Sequence, residues 1–290
     1  MNLSLLNTSR TSPPTDIELA AIVRGFHSAR VLVIGDVILD RYITGSVHRL
    51  SPEAPIPVLR PADNRCTLGG AANVALNIAT LGGQAVLVGV IGNDAAGDEV
   101  ERLVHATPGI ASALVRIANR PTTSKTRFMT GSHQLLRLDE ETTAPLDHAG
   151  LLAVMEAVEG SLGGADVIVL SDYAKGVLCD GVLDAILSRT AQAGLLVIAD
   201  PKRPDFAAYR GAAILTPNEH EVRVATRIEA DHDTEADRAG RVALDATGGQ
   251  AVLVTRSAKG LTLVCRDQEA LHLPTRAREV AAGHLHQHLQ

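Results

Sequence analysis

The 290-residue chain has no tryptophan, three phenylalanines and three tyrosines, so aromatic residues make up only 2% of it. Its core must be filled by Ala, Val, Leu and Ile, and stacking platforms for single-stranded nucleic acid are all but excluded. Cysteine is scarce too. Cys66, Cys179 and Cys265 stand far apart with no CxxC pair, which argues against a disulfide framework or a zinc site and fits reduced cytosolic thiols. Positive charge is not in excess: a net charge of −6 gives no general attraction to nucleic acid or anionic membrane, so phosphate recognition has to be local. No apolar run approaches the ~18 residues of a membrane span. The opening MNLSLLNTSRTSPPTD lacks the apolar centre of a signal peptide. Two nucleotide fingerprints, G-x-x-x-x-G-K-[ST] and G-x-G-x-x-G, are also missing. These absences lead to the expectation of a soluble cytoplasmic protein with an ample aliphatic core.

What is present centres on Leu68 to Val100, LGGAANVALNIATLGGQAVLVGVIGNDAAGDEV. Gly69 and Gly70 allow close approach of a ligand or of another backbone. The helix they open, carrying Asn73 in its first turn, presents free N–H groups that favour anions and polar oxygens. A second glycine pair, Gly82 and Gly83, leads into an apolar strand, and an acidic helix start follows.

Along the chain, residues 1–14 read as a flexible tail closed by Pro13 and Pro14. Thr15-Asp16-Ile17-Glu18 is a capping box, predicting a helix from Asp16 to Ser28 that buries Ile17, Ala20, Ala21 and Val23. VLVIGD, from Val31 to Asp36, has the continuous apolar pattern of a strand buried on both faces. Its C-terminal end carries Asp36 and Asp40, where open parallel sheets bind ligands, or else these are solvated loop acids. Residues 41–61 and 122–139 are β-prone excursions, the second folded about Gly131-Ser132. The basic groups Lys125, Arg127 and Arg137 suit an anionic substrate or are solvated strand charges.

Helices and strands then alternate through DVIVLSD, LLVIAD and AAILT, wiring that implies a parallel sheet flanked by helices. Acid and lysine collect at the strand ends, in Asp172 with Lys175 and in Asp200 with Lys202. Asn218 and Glu221 open the next helix with the spacing of an N-cap and its N3 partner. Ala251 to Val264 reads as a strand, a turn with Lys259-Gly260 and a returning strand.

The glycine pair with Asn73, the Ala-rich helix and Leu81-Gly82-Gly83 resemble the first signature of the ribokinase (PfkB) family of sugar kinases. The resemblance covers about residues 30–280. It implies an α/β fold, a ribokinase-like three-layer α/β/α sandwich with a mostly parallel sheet and a small β lid. That lid often pairs with a second one to make a homodimer. It also implies ATP and Mg2+ as cofactors, with Asp40 holding sugar hydroxyls. By the same resemblance Asn218 and Glu221 organise Mg2+ through water, and Lys202, Thr255, Ser257 and Gly260 lie near the nucleotide. The phrases GDVILDRY, RLSPEAPIPVL, TTSKTRF, QLLRLDEE, SDYAKGVL and TPNEHE are similar to the branch that phosphorylates heptose 7-phosphate at the anomeric hydroxyl. Asp36, Asp40, Gly69, Gly70, Asn73, Lys125, Arg127, Arg137, Asp172 and Lys175 are then the expected substrate side. The alternatives are a binding protein without chemistry, or a related kinase for another sugar phosphate or a nucleoside.

One departure bears on activity. The family carries Asp-x-x-Gly-Ala-Gly-Asp after the last hairpin; its final Asp is the general base, and its N–H groups form an anion hole. Here Thr275 to Val280 is followed by AAGHLHQHLQ, so no catalytic residue can be assigned. Impaired turnover, absent C-terminal helices with an uncovered sheet flank, and a disordered tail over 281–290 are expected. His284, His286 and His288 alternate there without carboxylate or cysteine partners, which argues against a metal site.

Overall fold

The computed structural model describes residues 15–275. The expectations for 1–14, for 281–290 and for His284, His286 and His288 lie outside the described residues. The chain begins with α1 (Asp16–Gly25) and β1 (Arg30–Gly35), then the long pair β2 (Val37–Leu50) and β3 (Pro57–Gly70). It continues with α2 (Ala71–Thr80), β4 (Gln84–Gly92), α3 (Ala95–His105), β5 (Ile110–Ile117), β6 (Ser124–Thr130) and β7 (His133–Glu140). The second half comprises α4 (His148–Leu162), β8 (Val167–Ser171), α5 (Asp180–Gln192), β9 (Leu196–Asp200) and β10 (Ile214–Leu215). It closes with α6 (Glu219–Thr226), α7 (Asp233–Thr247), β11 (Ala251–Thr255), β12 (Leu261–Cys265) and β13 (Leu271–Leu273).

Among the described residues, nine strands form one sheet in the order β13-β12-β11-β10-β9-β8-β1-β4-β5, and four form a second in the order β3-β2-β6-β7. The large sheet is parallel from β5 to β11, and only β12 and β13 run antiparallel. β1 lies between β4 and β8, and Leu32, Val33 and Ile34 are fully buried. Its unbroken apolar run is therefore required, because helices cover both of its faces. Leu32 and Ile34 join a core with α4, α5, α6 and α7, whereas Val31 and Val33 join one with α2 and α3. In α2 the contact is made by Ala71, Ala72 and Ala75, all fully buried, whose small side chains bring the helix close to the sheet.

The α2–α3 side is covered over β1 and β4 and runs out toward β12. Leu196, Ile198, Ile214, Leu253 and Leu263 share that face by register and are half-buried. Their neighbours on the other face, Val197, Ala199, Leu215, Val252 and Val254, are buried to 2% or less. Among the described residues this face of β9 to β12 is thus the less covered of the two.

Three sequence expectations need correction. The capping box of α1 forms, with Glu18 N–H donating to the Thr15 hydroxyl, but the helix ends at Gly25, and a 3-10 turn completes the segment to Ser28. It buries none of its residues, and Ile17 and Val23 are 78% and 56% exposed. Its apolar spacing finds no face to pack on, since its main contacts are with the turn that follows it. β10 is only two residues long, and β5 is an additional edge strand whose mixed sequence IASALVRI hid it.

At the end of β1 the pairing with β8 is so close that a Cβ on Gly35 would fall 2.0 Å from the Ser171 carbonyl oxygen. Because that obstacle is backbone, Gly35→Ala should destabilise the protein by about 3 kcal/mol or more, read as a shift of the urea midpoint.

Candidate active site

The carboxyl ends of the parallel strands form one rim, which carries in order Asp94 (β4), Asp36 (β1), Asp172 (β8), Asp200 (β9), Thr216 (β10) and Thr255 (β11). The lid sheet rises beside it. Register places Asp40, Lys125 and Asp139 in one row across β2, β6 and β7, with Tyr42, Arg127 and Arg137 in the next row on the same face.

Asp40 is 7% exposed, and its carboxylate accepts from Arg127 Nη1. Gly69 lies beneath it: a Cβ there would sit 2.3 Å from Asp40 Oδ2, so the glycine lets the carboxylate lie against backbone. Gly70, at φ 57°, is packed against the Asp36 carbonyl, which accepts Ala71 N–H at 2.9 Å. Of the two uses open to this glycine pair, close approach of the protein's own groups is the one seen. No side chain caps α2, and Asn73 in its first turn is half-buried with no hydrogen bond among the described residues.

Lys125, Arg127, Arg137 and Lys175 are each paired with an acid of the chain. Lys125 reaches Asp139 at 3.0 Å and Glu141 at 3.1 Å, Arg137 reaches Asp139 at 2.8 Å, and Lys175 reaches Glu141 at 2.7 Å. Arg127 also stands over the Tyr42 ring, 5.2 Å from its centroid. Burial works against ionisation of Glu141, yet Lys175 and Lys125 hold it below the usual carboxylate range. Asp139 and Glu141, which the sequence reading passed over, thus neutralise the cations in which it saw an anion site.

Asp36 and Asp172 have other duties than a surface acid would. Asp36 is 1% exposed and accepts the backbone N–H groups of Tyr173, Lys175 and Val177 at 2.8, 3.0 and 3.1 Å. Burial nevertheless pushes its pKa up. Asp172, 3% exposed, accepts the Tyr209 hydroxyl and the Ala174 N–H, both at 2.7 Å, and pairs with Arg203 at 3.3 Å. Burial, then the Asp172 charge, push the Tyr209 phenol well up, so it stays a donor.

On the other half of the rim, Asn218 caps α6 by accepting Glu221 N–H at 2.9 Å, and Glu221 returns the bond to Asn218 N–H at 2.9 Å. The capping role anticipated from spacing is real, and Glu221 also holds Lys202 at 2.9 Å. Asn218 pairs with Thr255, which lines a cleft of about 510 Å³ together with Ser257, Gly260, Leu261, Leu273 and Pro274. Gly260, at φ 96°, is obligatory there, since a Cβ would lie 2.0 Å from the Leu273 carbonyl oxygen. A cleft of about 550 Å³ opens at the opposite ends of β9 to β11, away from every group named here.

Asp200 stands between the two halves. It accepts from the Thr216 hydroxyl at 3.2 Å, and burial together with the neighbouring Glu221 charge raises its pKa to about 6. Among the described residues no three His, Cys, Asp or Glu side chains are gathered to grip a metal directly. Two mutually repelling carboxylates fit a hydrated cation held through water, which is how Mg2+ prefers to bind.

A large, mostly parallel sheet with a small β lid beside its acid-bearing rim is the ribokinase-like fold. The model of the pfkB family carbohydrate kinases matches residues 28–281, and the chain belongs to that family. It is 47% identical over 266 residues to the Bifunctional protein HldE of Caulobacter vibrioides, covering 91% of this chain and 54% of that one. With the protein of the same name from Azorhizobium caulinodans the identity is 48% over 253 residues, covering 87% and 53%. The chain thus spans about half the length of these curated relatives. Escherichia coli phosphofructokinase-2 in complex with substrates and products aligns with a TM-score of 0.69 at 19% identity, over 88% of this chain and 81% of that one. Arabidopsis thaliana ribokinase with ribose and ATP aligns at 0.62 and 20%, over 85% and 78%. At those identities the likeness concerns the fold.

The raised Asp200 gives a stability prediction. Its folded pKa lies above the ordinary 3.8, so the native state holds the proton more tightly than the unfolded chain. The penalty is absent below the ordinary value and complete above pH 6. Asp200→Asn should therefore stabilise the magnesium-free protein by up to about 3 kcal/mol at pH 7, with the gain fading toward pH 4 in urea titrations.

Proposed function

We propose that the chain transfers the γ-phosphoryl of ATP to the anomeric hydroxyl of D-glycero-β-D-manno-heptose 7-phosphate. The product is the 1,7-bisphosphate, which feeds ADP-heptose and lipopolysaccharide core assembly. Family membership and 41–48% identity to relatives named HldE support the reading. The observation that carries it is one lid face on which a nearly buried carboxylate, Asp40, stands among Lys125, Arg127 and Arg137. A carboxylate accepts sugar hydroxyls with charge assistance, and guanidinium and ammonium groups suit a phosphate on the same molecule.

In this reading Asp40 orients the sugar and Arg127 fixes Asp40. Lys125, Arg137 and Lys175 exchange their internal acid partners for the substrate phosphate. Asp36 and Asp172 serve from behind by shaping the loop after β8. Gly69, Gly70 and Asn73 form the floor at the start of α2. The nucleotide lies along Thr255, Ser257 and Gly260, with Lys202 near its phosphates. Asn218, Glu221 and Asp200 hold the water shell of the cation. Mg2+, when bound, neutralises phosphate charge and orients the transferring group. The enzyme works in the cytoplasm as a homodimer. Its contact is the other face of the lid, where Ile43, Phe128, Leu136 and Leu138 form an apolar stripe and the two leucines are 60% and 48% exposed.

A second reading is binding of the sugar phosphate and ATP without turnover, in which the same lid face and rim hold both ligands and no phosphoryl group moves.

ADP release measured with heptose 7-phosphate, fructose 6-phosphate and a nucleoside, alongside calorimetry, tests both readings. Turnover with the heptose supports the first, and binding of heptose 7-phosphate and ATP without ADP release supports the second. No heat with either ligand would sink both. Asp40→Asn should weaken heptose 7-phosphate binding by about 1.5–3 kcal/mol, the range for hydrogen bonds to a charged group, and leave ATP affinity unchanged.

A further inference from the structure

The loop at 172–177 is shaped by two charged residues distant in sequence. Asp36 takes three of its N–H groups, those of Tyr173, Lys175 and Val177. Arg120 takes the carbonyl of Lys175 and, at 2.9 Å, that of Ala144. A carboxylate thus draws the donors of this short loop while a guanidinium draws an acceptor, and each charge also offsets the other. The clamp holds Ala174 at φ 54° and Gly176 at φ 90°, values that side-chain-bearing residues rarely adopt. At Gly176 a Cβ would meet the Ala144 carbonyl oxygen at 2.1 Å, so the loop has no room to shift toward that segment.

What the loop presents is Lys175, paired with the lid through Glu141, and Tyr173. Tyr173 is half-buried, and its hydroxyl has no hydrogen-bond partner among the described residues. Its phenol is kept protonated first by burial and then by the charges of Asp200, Asp40, Glu221 and Asp36. Asp40 belongs to the sugar half of the rim, and Asp200 and Glu221 belong to the nucleotide half. In the sheet β8 lies between β1 and β9, so the loop that carries Tyr173 just past the end of β8 leaves the rim between Asp36 and Asp200, and its unpartnered O–H belongs to the junction of the two halves. The ionised carboxylates around it can only accept hydrogen bonds. A sugar hydroxyl that gives its proton to Asp40 still needs a donor for its own oxygen, and a phenol supplies one without adding charge.

We propose that Tyr173 contacts the acceptor sugar through its hydroxyl at the junction of the two half-sites, and that Asp36 and Arg120 are positioning residues that fix the loop carrying it. The inference rests on the sugar-phosphate kinase reading above. It deepens that reading by naming a substrate contact and its support.

The test combines calorimetry of the full chain with hydrogen–deuterium exchange over 172–177, for wild type, Tyr173→Phe, Asp36→Asn and Arg120→Gln. The probes are D-glycero-β-D-manno-heptose 7-phosphate and, separately, ATP with Mg2+. Tyr173→Phe should weaken heptose 7-phosphate binding about tenfold, keep ATP affinity within about twofold and leave exchange unaltered. Asp36→Asn should speed exchange at the amides of 173, 175 and 177 and weaken sugar binding at least as much, again sparing ATP. Arg120→Gln approaches the same loop from its carbonyl side and should reproduce the faster exchange if Asp36→Asn does not fold. Sugar affinity within twofold of wild type in Tyr173→Phe overturns the contact. Unchanged protection of the three amides in both Asp36→Asn and Arg120→Gln overturns the clamp. Wild-type protein that binds ATP but no sugar phosphate overturns the substrate reading and the Tyr173 contact with it, whereas the exchange measurement decides the clamp independently.

Discussion

A carboxylate buried at the end of the interior strand β1 has to be met by donors, and much of the rim follows from how Asp36 is met. Three N–H groups of the loop after β8 converge on its oxygens, while its own carbonyl accepts the first N–H of α2. One residue therefore ties together β1, the start of the glycine-opened helix and the loop bearing Tyr173 and Lys175. Leaving such a charge without those bonds would be costly, so the loop conformation and the burial of Asp36 sustain each other. The close pairing of Gly35 with Ser171 brings the two strand ends near enough for this to happen.

The lid obeys a related constraint. Four cationic side chains crowd around a partly buried sheet face, and each finds a carboxylate within the chain: Asp40 for Arg127, Asp139 for Arg137 and Lys125, and Glu141 for Lys125 and Lys175. Pairing limits the cost of taking these charges partly out of water and fixes their geometry. It also links the lid to the main sheet, since Glu141 bridges Lys125 on β6 and Lys175 on the loop after β8. On the nucleotide half the balance is reversed. Asp200 and Glu221 repel, and Lys202, the Thr216 hydroxyl and the Asn218 N–H relieve them, an arrangement that suits a cation.

Much of this was legible in the chain because the signals were local. The apolar run at β1 states burial on both faces, and the capping boxes at Thr15 and Asn218 formed as spelled. The turn at Gly131-Ser132 formed as well. The failures were of one kind, a local pattern whose meaning depends on a distant partner. The apolar spacing of α1 promised a buried face, but Ile17 and Val23 meet no surface. Asp36, Asp40 and Asp172 look alike in sequence, yet one organises a loop, one pairs with Arg127 within the lid and one anchors Tyr209. Tyr173 went unselected, although one of only three tyrosines lying just past a strand end was signal enough to notice it.

The sequence by itself determined the alternation of strands and helices, the excursion that becomes the lid, and the family, because periodicity, capping and glycine placement act over a few residues. Only the tertiary structure decided which acids are spent on backbone donors and which stand among the cations of the lid face. That assignment depends on donors such as Val177 N–H and Arg127, which lie 141 and 87 residues from the carboxylates they satisfy. Hydrogen bonds and charge pairs act through space over a few ångströms, and no local pattern in the chain records which distant groups folding will bring that close.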